Sequence, residues 1–186
     1  MRLAPRAKLA LLAAIFLAPI VASVVAYRFF RPEPTANYGE LLLPPAAITS
    51  HSFARIDGGA FAFSELRGLW ILVASDSGVC EPPCAEKLTA MRQVRLALGR
   101  NATRLARVFV VDDLRAPERA ASAVFEGTVV ARTPTGMSLP SGAANDRAHI
   151  YLVDPLGNVM MRWPARPELK GMLKDLERLL TASQIG

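Results

Sequence analysis

Residues 69–84 read LWILVASDSGVCEPPC, and this stretch decides the fold. Its first six residues form a short, nearly continuous apolar run, which is typical of a strand covered on both faces of a sheet. Two cysteines, Cys80 and Cys84, follow where the chain leaves that strand. Pro82 and Pro83 lack backbone donors, so a helix is predicted to begin at one of them and to hold Cys84 in its first turn.

The segments on either side predict an α/β fold. Apolar residues recur at helical spacing over residues 84–98 and end at Gly99, which suits a helix C-cap. Residues 107–111 (RVFVV) then predict a second buried strand, so that strand, helix and strand form a βαβ unit. Upstream, residues 51–70 alternate between apolar and polar around a turn at 57–59 (DGG), a pattern that predicts a β-hairpin.

The C-terminal part of the chain predicts a hairpin and a helix. Residues 149–153 (HIYLV) and 158–162 (NVMMR) flank the turn sequence DPLG, which joins antiparallel strands. Residues 167–183 carry leucines and methionine at helical spacing and predict an amphipathic helix. The predicted order of elements is therefore ββ, βαβ, ββα.

An uncharged apolar segment, LALLAAIFLAPIVASVVAY, occupies residues 9–27 and follows three basic residues. As a helix it is roughly 28 Å long, close to the hydrocarbon thickness of a bilayer. It is longer than the apolar core of a secretory signal, which favours an uncleaved anchor. A signal peptide cleaved before Tyr27 is the alternative, because Val24 and Ala26 fit the small-residue positions of a cleavage site.

The charge distribution around the segment predicts its orientation. Basic residues precede the span, so the N-terminus is expected in the cytoplasm and the remainder outside, in a single-pass protein of the cell inner membrane. We divide the chain into a cytoplasmic N-terminus (1–8), a transmembrane anchor (9–27), a linker with four prolines (28–47) and a folded α/β domain (48–186).

Composition excludes several classes of protein. The chain is 52% apolar and 20% charged, which excludes a disordered protein, and its net charge of +6 is too modest to indicate a nucleic-acid partner. Two cysteines exclude a multiply disulfide-bonded miniprotein and a four-cysteine zinc site. The two histidines, His51 and His149, do not have the spacing of a two-cysteine, two-histidine zinc site.

The chemistry is expected at Cys80 and Cys84. The positive end of the predicted helix favours the Cys84 thiolate, Lys87 is expected to add to this effect, and Glu81 opposes it. Two such thiols can form a reversible disulfide or hold Cu(I). A purely structural disulfide is the alternative in an exported protein. A loop this short, however, removes little entropy from the unfolded chain, which favours a redox or metal-binding role.

Together these residues resemble a known family. The pattern F-x-x-I-D-G-G-x-F-x-F-x-E-L-R-G-L-W-I-L-V begins at Phe53 and is followed by C-x-x-x-C and by Y-L-V-D-P-x-G from Tyr151. It is similar to the Sco/SenC proteins over about residues 50–182. The resemblance implies a membrane-anchored thioredoxin-like fold and a role in assembling the copper centre of cytochrome c oxidase. It also implies that Cys80 and Cys84 are copper-binding and redox cysteines.

The third copper ligand of that family is a histidine that lies shortly before the Y-L-V-D-P strand. The aligned position here is near Asn145 or Asp146, and His149 comes later, at the start of the strand. His149 is the residue expected to supply the third metal ligand. The alternative is a strand histidine that shares a face with Tyr151 and Val153 and is satisfied by a backbone carbonyl.

Three functions remain open at this point. The first is a Sco-like assembly factor whose partner is a cytochrome c oxidase subunit and whose cofactor is copper. The second is a membrane-tethered thiol-disulfide oxidoreductase that acts on another exported cysteine protein. The third is a non-catalytic scaffold with a structural disulfide. The assembly factor is the favoured function, and Cys80 and Cys84 are the residues expected to carry it out.

Overall fold

A computed structural model describes residues 4–29, 37–48, 52–115, 125–133 and 146–183. His51 and Asn145 lie outside these ranges. The chain divides into two units, Met1–Ala36 and Asn37–Gly186. In the first unit, helix α1 (Pro5–Phe29) contains a segment, Pro5–Arg28, that is long and apolar enough to cross a membrane. This agrees with the sequence-based expectation of one N-terminal apolar helix and is consistent with a single-pass membrane protein.

The described part of the second unit contains eight strands and two α-helices. The strands are β1 (Glu40–Ala47), β2 (Phe53–Arg55), β3 (Ala60–Phe61), β4 (Trp70–Asp76), β5 (Leu105–Val111), β6 (Val129–Arg132), β7 (His149–Val153) and β8 (Asn158–Pro164). The helices are α2 (Pro82–Ala97) and α3 (Leu169–Ala182), and short 3₁₀ helices lie at Phe63–Leu66 and Gly99–Arg104.

All eight strands belong to one mixed sheet in the order β1-β8-β7-β4-β5-β6-β2-β3. Strand β4 is central: it pairs in parallel with β5 and antiparallel with β7. The predicted βαβ unit is therefore β4, α2 and β5, and the predicted C-terminal hairpin is β7 and β8. The N-terminal hairpin is β2 and β3, shorter than expected.

The core lies on both faces of the sheet because side chains alternate along each strand. Leu72 and Ala74 of β4 pack with α2 and α3 on one face, and Ile71 and Val73 pack on the other. The second face is closed by three phenylalanines in mutual ring contact, Phe53, Phe61 and Phe63. Strand β4 is thus buried on both sides, as its uninterrupted apolar run predicts.

Two strands of the sheet were not predicted from the sequence. The prediction of a linker that reaches residue 47 is wrong for residues 40–47, because they form β1 and pair with β8. Pro44 and Pro45 fall where the register of that pairing shifts, and an edge strand tolerates proline because one side of it needs no donors. The second missed strand, β6, has only four residues.

A buried carboxylate fixes the start of the second unit. Asp175 of α3 is 1% exposed and accepts hydrogen bonds from the backbone N–H groups of Tyr38 (3.1 Å) and Gly39 (2.7 Å) and from Trp163 Nε1 (3.0 Å). Gly39 has no room for a side chain, since a Cβ there would lie 2.5 Å from Trp163 Nε1. Residues 37–39 are therefore part of the folded domain.

Candidate functional site

A disulfide joins Cys80 and Cys84 at the carboxyl edge of the sheet. Strand β4 ends at Asp76, a loop of residues 77–81 follows, and α2 begins at Pro82. The two Cα atoms are 5.1 Å apart. Cys84 is 2% exposed and packs in the core, whereas Cys80 is only partly buried. The structure thus brings together both cysteines that the sequence singled out, and Cys80 is the more accessible of the two.

The first turn of α2 confirms the predicted position of Cys84. Glu81 is the N-cap residue, and its carbonyl accepts a hydrogen bond from the Cys84 N–H at 2.8 Å. Pro82 and Pro83 occupy the first two helical positions, where a missing N–H costs nothing. The positive end of the helix therefore favours negative charge on the Cys84 sulfur when the disulfide opens.

The loop before the helix is held by the carboxylate of Asp113, which follows β5. Asp113 accepts hydrogen bonds from Ser77 Oγ (2.6 Å), Gly78 N (3.0 Å) and Arg115 N (3.1 Å). Burial alone would raise the pKa of Asp113, but these donors outweigh it and lower the pKa below its ordinary value. Further along the loop, Cys80 N donates to the carbonyl of Ser77 at 3.1 Å.

Lys87 forms a buried ion pair at the end of β4. Its side chain is 1% exposed, and its ammonium donates to Asp76 Oδ2 (3.0 Å) and to the carbonyls of Ser75 (2.7 Å) and Arg147 (2.9 Å). The expectation that Lys87 also stabilises a Cys84 thiolate remains a prediction, because both sulfurs are held in the disulfide. Its charge is balanced by Asp76, the last residue of β4.

Arg147 completes a charged rim at this edge of the sheet. Its guanidinium donates twice to Asp112, at 2.8 and 2.6 Å, and lies 3.8 Å from Asp76. The pKa of Arg147 is raised, because its hydrogen bonds to Asp112 outweigh the desolvation of the guanidinium. The residues that precede β7 are therefore tied to the ends of both β4 and β5.

His149 lies on the other face of the sheet from the cysteines. Its neighbour Ile150 packs in the cluster that contains Cys84, and Tyr151 packs in the opposite cluster. Because side chains alternate, His149 shares the face of Tyr151. Its Nδ1 contacts Asp146 Oδ2 at 2.5 Å, so its partner is a carboxylate and not the backbone carbonyl of the alternative interpretation.

The described residues contain no group of three or more His, Cys, Asp and Glu side chains that could hold a metal. The donors that suit a soft ion there are the sulfurs of Cys80 and Cys84, which fit Cu(I) once they are reduced. His149 as a third ligand remains a prediction.

The contact between Tyr151 and Asp146 predicts a pH dependence. Tyr151 donates to Asp146 at 2.7 Å, and burial together with this carboxylate raises the pKa of Tyr151 to about 12. The fold therefore favours the neutral phenol of Tyr151. The contribution of this group to the stability of the fold is complete below pH 10 and is lost as the pH rises towards 12.

We expect Tyr151→Phe to flatten the loss of thermal stability between pH 10 and about pH 12. Melting curves of the wild type and the variant over this range measure the effect. Tyr38→Phe is the matched control, because Tyr38 is 41% exposed and should leave the alkaline limb unchanged. An identical alkaline limb in wild type and Tyr151→Phe would contradict the assignment.

The carboxylate of Asp113 was not predicted from the sequence to hold the loop. Asp76 and Val111 are partners in the parallel pairing of β4 and β5, so the acidic residues that end both strands meet at one edge. The available signal was the sequence Val111-Asp112-Asp113 after a buried strand. Parallel strand ends lie side by side, and polar residues that follow them converge.

The fold is similar to solved structures of Sco proteins. A SCO1/SenC family lipoprotein from Bacillus anthracis is 17% identical with a TM-score of 0.56, and the match covers 74% of this chain and 98% of that chain. Apo Sco1 from Thermus thermophilus is 17% identical, with a TM-score of 0.61 over 77% and 97%. Arabidopsis thaliana ScoI with copper bound is 14% identical, with a TM-score of 0.59 over 74% and 100%. At these identities the similarity establishes a shared fold.

Comparison of sequences gives a family. No curated protein matches the chain. The model of the transmembrane-like, thioredoxin-like C-terminal domain matches residues 70–183, from the first residue of β4 to the residue after α3, and includes both cysteines. The predicted α/β, thioredoxin-like class is confirmed, and so is the resemblance to Sco/SenC proteins at the level of the fold. The chain belongs to the family described as the transmembrane-like, thioredoxin-like C-terminal domain.

Proposed function

We propose that this protein is a Sco-like assembly factor of the inner membrane that exchanges disulfides with a cysteine-bearing subunit of cytochrome c oxidase. One observation carries the proposal: the more accessible Cys80 is disulfide-bonded to buried Cys84 at the start of α2. The apolar helix α1 supports the membrane anchor, and the basic residues before it support a domain outside the cytoplasm.

In the proposed exchange the two cysteines have different roles. A partner thiolate attacks Sγ of Cys80, the S–S bond breaks, and Cys84 leaves as a thiolate that the helix terminus stabilises. A second partner thiolate then attacks the partner sulfur of the mixed disulfide and releases Cys80. Two electrons have passed from the partner dithiol, now a disulfide, to the cysteine pair. The reverse sequence reduces a partner disulfide.

The reduced pair is also suited to Cu(I) as cargo. Cys80 and Cys84 supply two thiolates, the ligand type that Cu(I) prefers. The Arabidopsis and yeast Sco proteins of similar fold are solved with copper bound, which supports this part of the proposal.

A second candidate function is general thiol-disulfide exchange with another exported cysteine protein. The position of His149 favours it, because the described residues supply Cu(I) with two sulfurs and no third ligand. Both candidates use the same cysteine pair, and copper binding separates them.

The roles of the cysteines predict an asymmetric pair of variants. Cys84→Ser leaves Cys80 as a lone accessible thiol, so oxidised glutathione should convert the full-length protein in detergent completely to a mixed disulfide. Cys80→Ser leaves Cys84, which is 2% exposed, and should react far more slowly. Intact-protein mass spectrometry against time measures both. Equal rates, or faster reaction of Cys80→Ser, would reverse the assignment.

A Cu(I) titration of the reduced full-length protein, with a competing chelator, tests the assembly role. One tightly bound Cu(I), lost in Cys80→Ser and in Cys84→Ser, supports it. If His149 of the wild type stays bound to Asp146 and does not coordinate the metal, His149→Ala should leave the Cu(I) affinity nearly unchanged. A loss of Cu(I) affinity well beyond about tenfold would identify His149 as a ligand. Absence of Cu(I) binding by the wild type favours general exchange.

The proposed partner is tested in cells. Replacing both cysteines by serine should lower the copper content of cytochrome c oxidase, measured on the purified enzyme. Unchanged copper content together with a captured mixed disulfide on a different exported protein would assign the chain to general exchange.

A further inference from the structure

The loop that carries Cys80 contains a strained backbone conformation. Cys80 has a φ of 46°, in the left-handed region that residues with a Cβ rarely adopt. Such conformations cost free energy and persist only where surrounding contacts fix them. In the oxidised protein the bond to Cys84 helps to fix Cys80. After reduction that bond is gone, so other contacts must hold the loop.

The strongest such contacts come from Asp113. Its carboxylate binds Ser77 through the hydroxyl and Gly78 through the backbone N–H, directly before Val79 and Cys80. Bonds to an ionised acceptor are about twice as strong as neutral ones. Asp113 is itself fixed, because it follows β5 and also accepts Arg115 N–H. A residue that follows β5, distant in sequence from both cysteines, thus holds the loop between β4 and α2.

We propose that Asp113 is a positioning residue for thiol-disulfide exchange, which holds residues 77–80 in the disulfide-forming conformation when Cys80 and Cys84 are reduced. This inference rests on the proposed function and adds a determinant of its equilibrium. With the loop held, the two sulfurs stay close and the disulfide reforms readily. With the loop released, the reduced state gains freedom that the oxidised state does not, so oxidation becomes less favourable.

The test is the equilibrium of the folded, full-length protein with glutathione redox buffers in detergent. For Asp113→Ala we expect the equilibrium constant for disulfide formation to fall by about tenfold, the size of one hydrogen bond to a charged group. Asp113→Asn keeps an acceptor oxygen and should recover part of that loss. Ser77→Ala removes one bond from the other side and should shift the equilibrium in the same direction.

Asp154→Ala is the matched control. Asp154 also holds a turn, through Leu156 N–H (2.9 Å) and Asn158 N–H (2.8 Å). That turn follows β7, at the edge of the sheet opposite to the cysteines. The control should lower thermal stability and leave the glutathione equilibrium unchanged.

The outcomes separate this inference from the function on which it rests. If the wild-type disulfide does not equilibrate with glutathione, both fail. If the wild type equilibrates and Asp113→Ala shifts the equilibrium no more than Asp154→Ala does, only the positioning role fails. If Asp113→Ala does not fold, Ser77→Ala decides: a shift towards the dithiol supports the role, and an unchanged equilibrium overturns it.

Discussion

Lys87→Met is expected to lower the free energy of unfolding by about 3–5 kcal/mol, the cost of leaving one member of a buried ion pair without its partner. Methionine keeps the length of the apolar stem, so the loss comes from the ammonium. Asp76 would lose its nearest counter-charge and keep only the Arg147 guanidinium at 3.8 Å, and the carbonyls of Ser75 and Arg147 would each lose a donor. Urea unfolding followed by tryptophan fluorescence measures the change, since Trp70 and Trp163 are both buried in the domain.

Two variants make this prediction specific. Arg92→Met removes a charge from the same helix, but Arg92 is 44% exposed and pairs with exposed Glu126, so the expected loss is below about 1 kcal/mol. Asp76→Asn combined with Lys87→Met removes both charges and should recover part of the stability lost by the single variant. A loss for Lys87→Met no larger than that for Arg92→Met would contradict the account of the buried pair.

Asp175→Ala is expected to destabilise the domain by about 3–5 kcal/mol, because each buried donor left without an acceptor costs about 1–3 kcal/mol. Three donors lose their acceptor: the N–H groups of Tyr38 and Gly39 and the indole of Trp163. The same urea titration measures the loss, and limited proteolysis near residue 37 should become faster because that segment is released.

Glu177→Ala is the control for Asp175, since Glu177 lies on the same helix and is exposed. It should change the free energy of unfolding by less than about 0.5 kcal/mol. Proteolysis near residue 37 that is unchanged in Asp175→Ala would show that the carboxylate does not hold that segment.

Elements with a strong local pattern were predictable from the sequence. Three patterns can be recognised within a few residues of sequence: the uninterrupted apolar run of β4, the prolines before Cys84 and the helical spacing of apolar residues in α2 and α3. The strand β1 carries the opposite signal, because Pro44 and Pro45 suggest a linker. It forms nonetheless, since β8, more than one hundred residues later, offers it an edge.

The two cysteines of the candidate site were predictable from the sequence, but the carboxylate that holds its loop was not. Cys80 and Cys84 are four residues apart, so their pairing is a local matter. Asp113 lies 35 residues from Gly78, and only the parallel pairing of β4 with β5 brings the two together. Lys87 was correctly placed on α2, but its ion pair with Asp76 was not predictable, because only the fold brings the end of β4 next to this side chain.

We infer that Cys80 and Cys84 form a redox pair rather than a structural link. The reduction potential of the full-length wild-type protein in detergent, measured by equilibration with dithiol buffers of known potential, distinguishes the two. We predict a value within the range of exchange proteins, between about −270 and −120 mV. A potential below about −300 mV, typical of structural disulfides, would contradict the account.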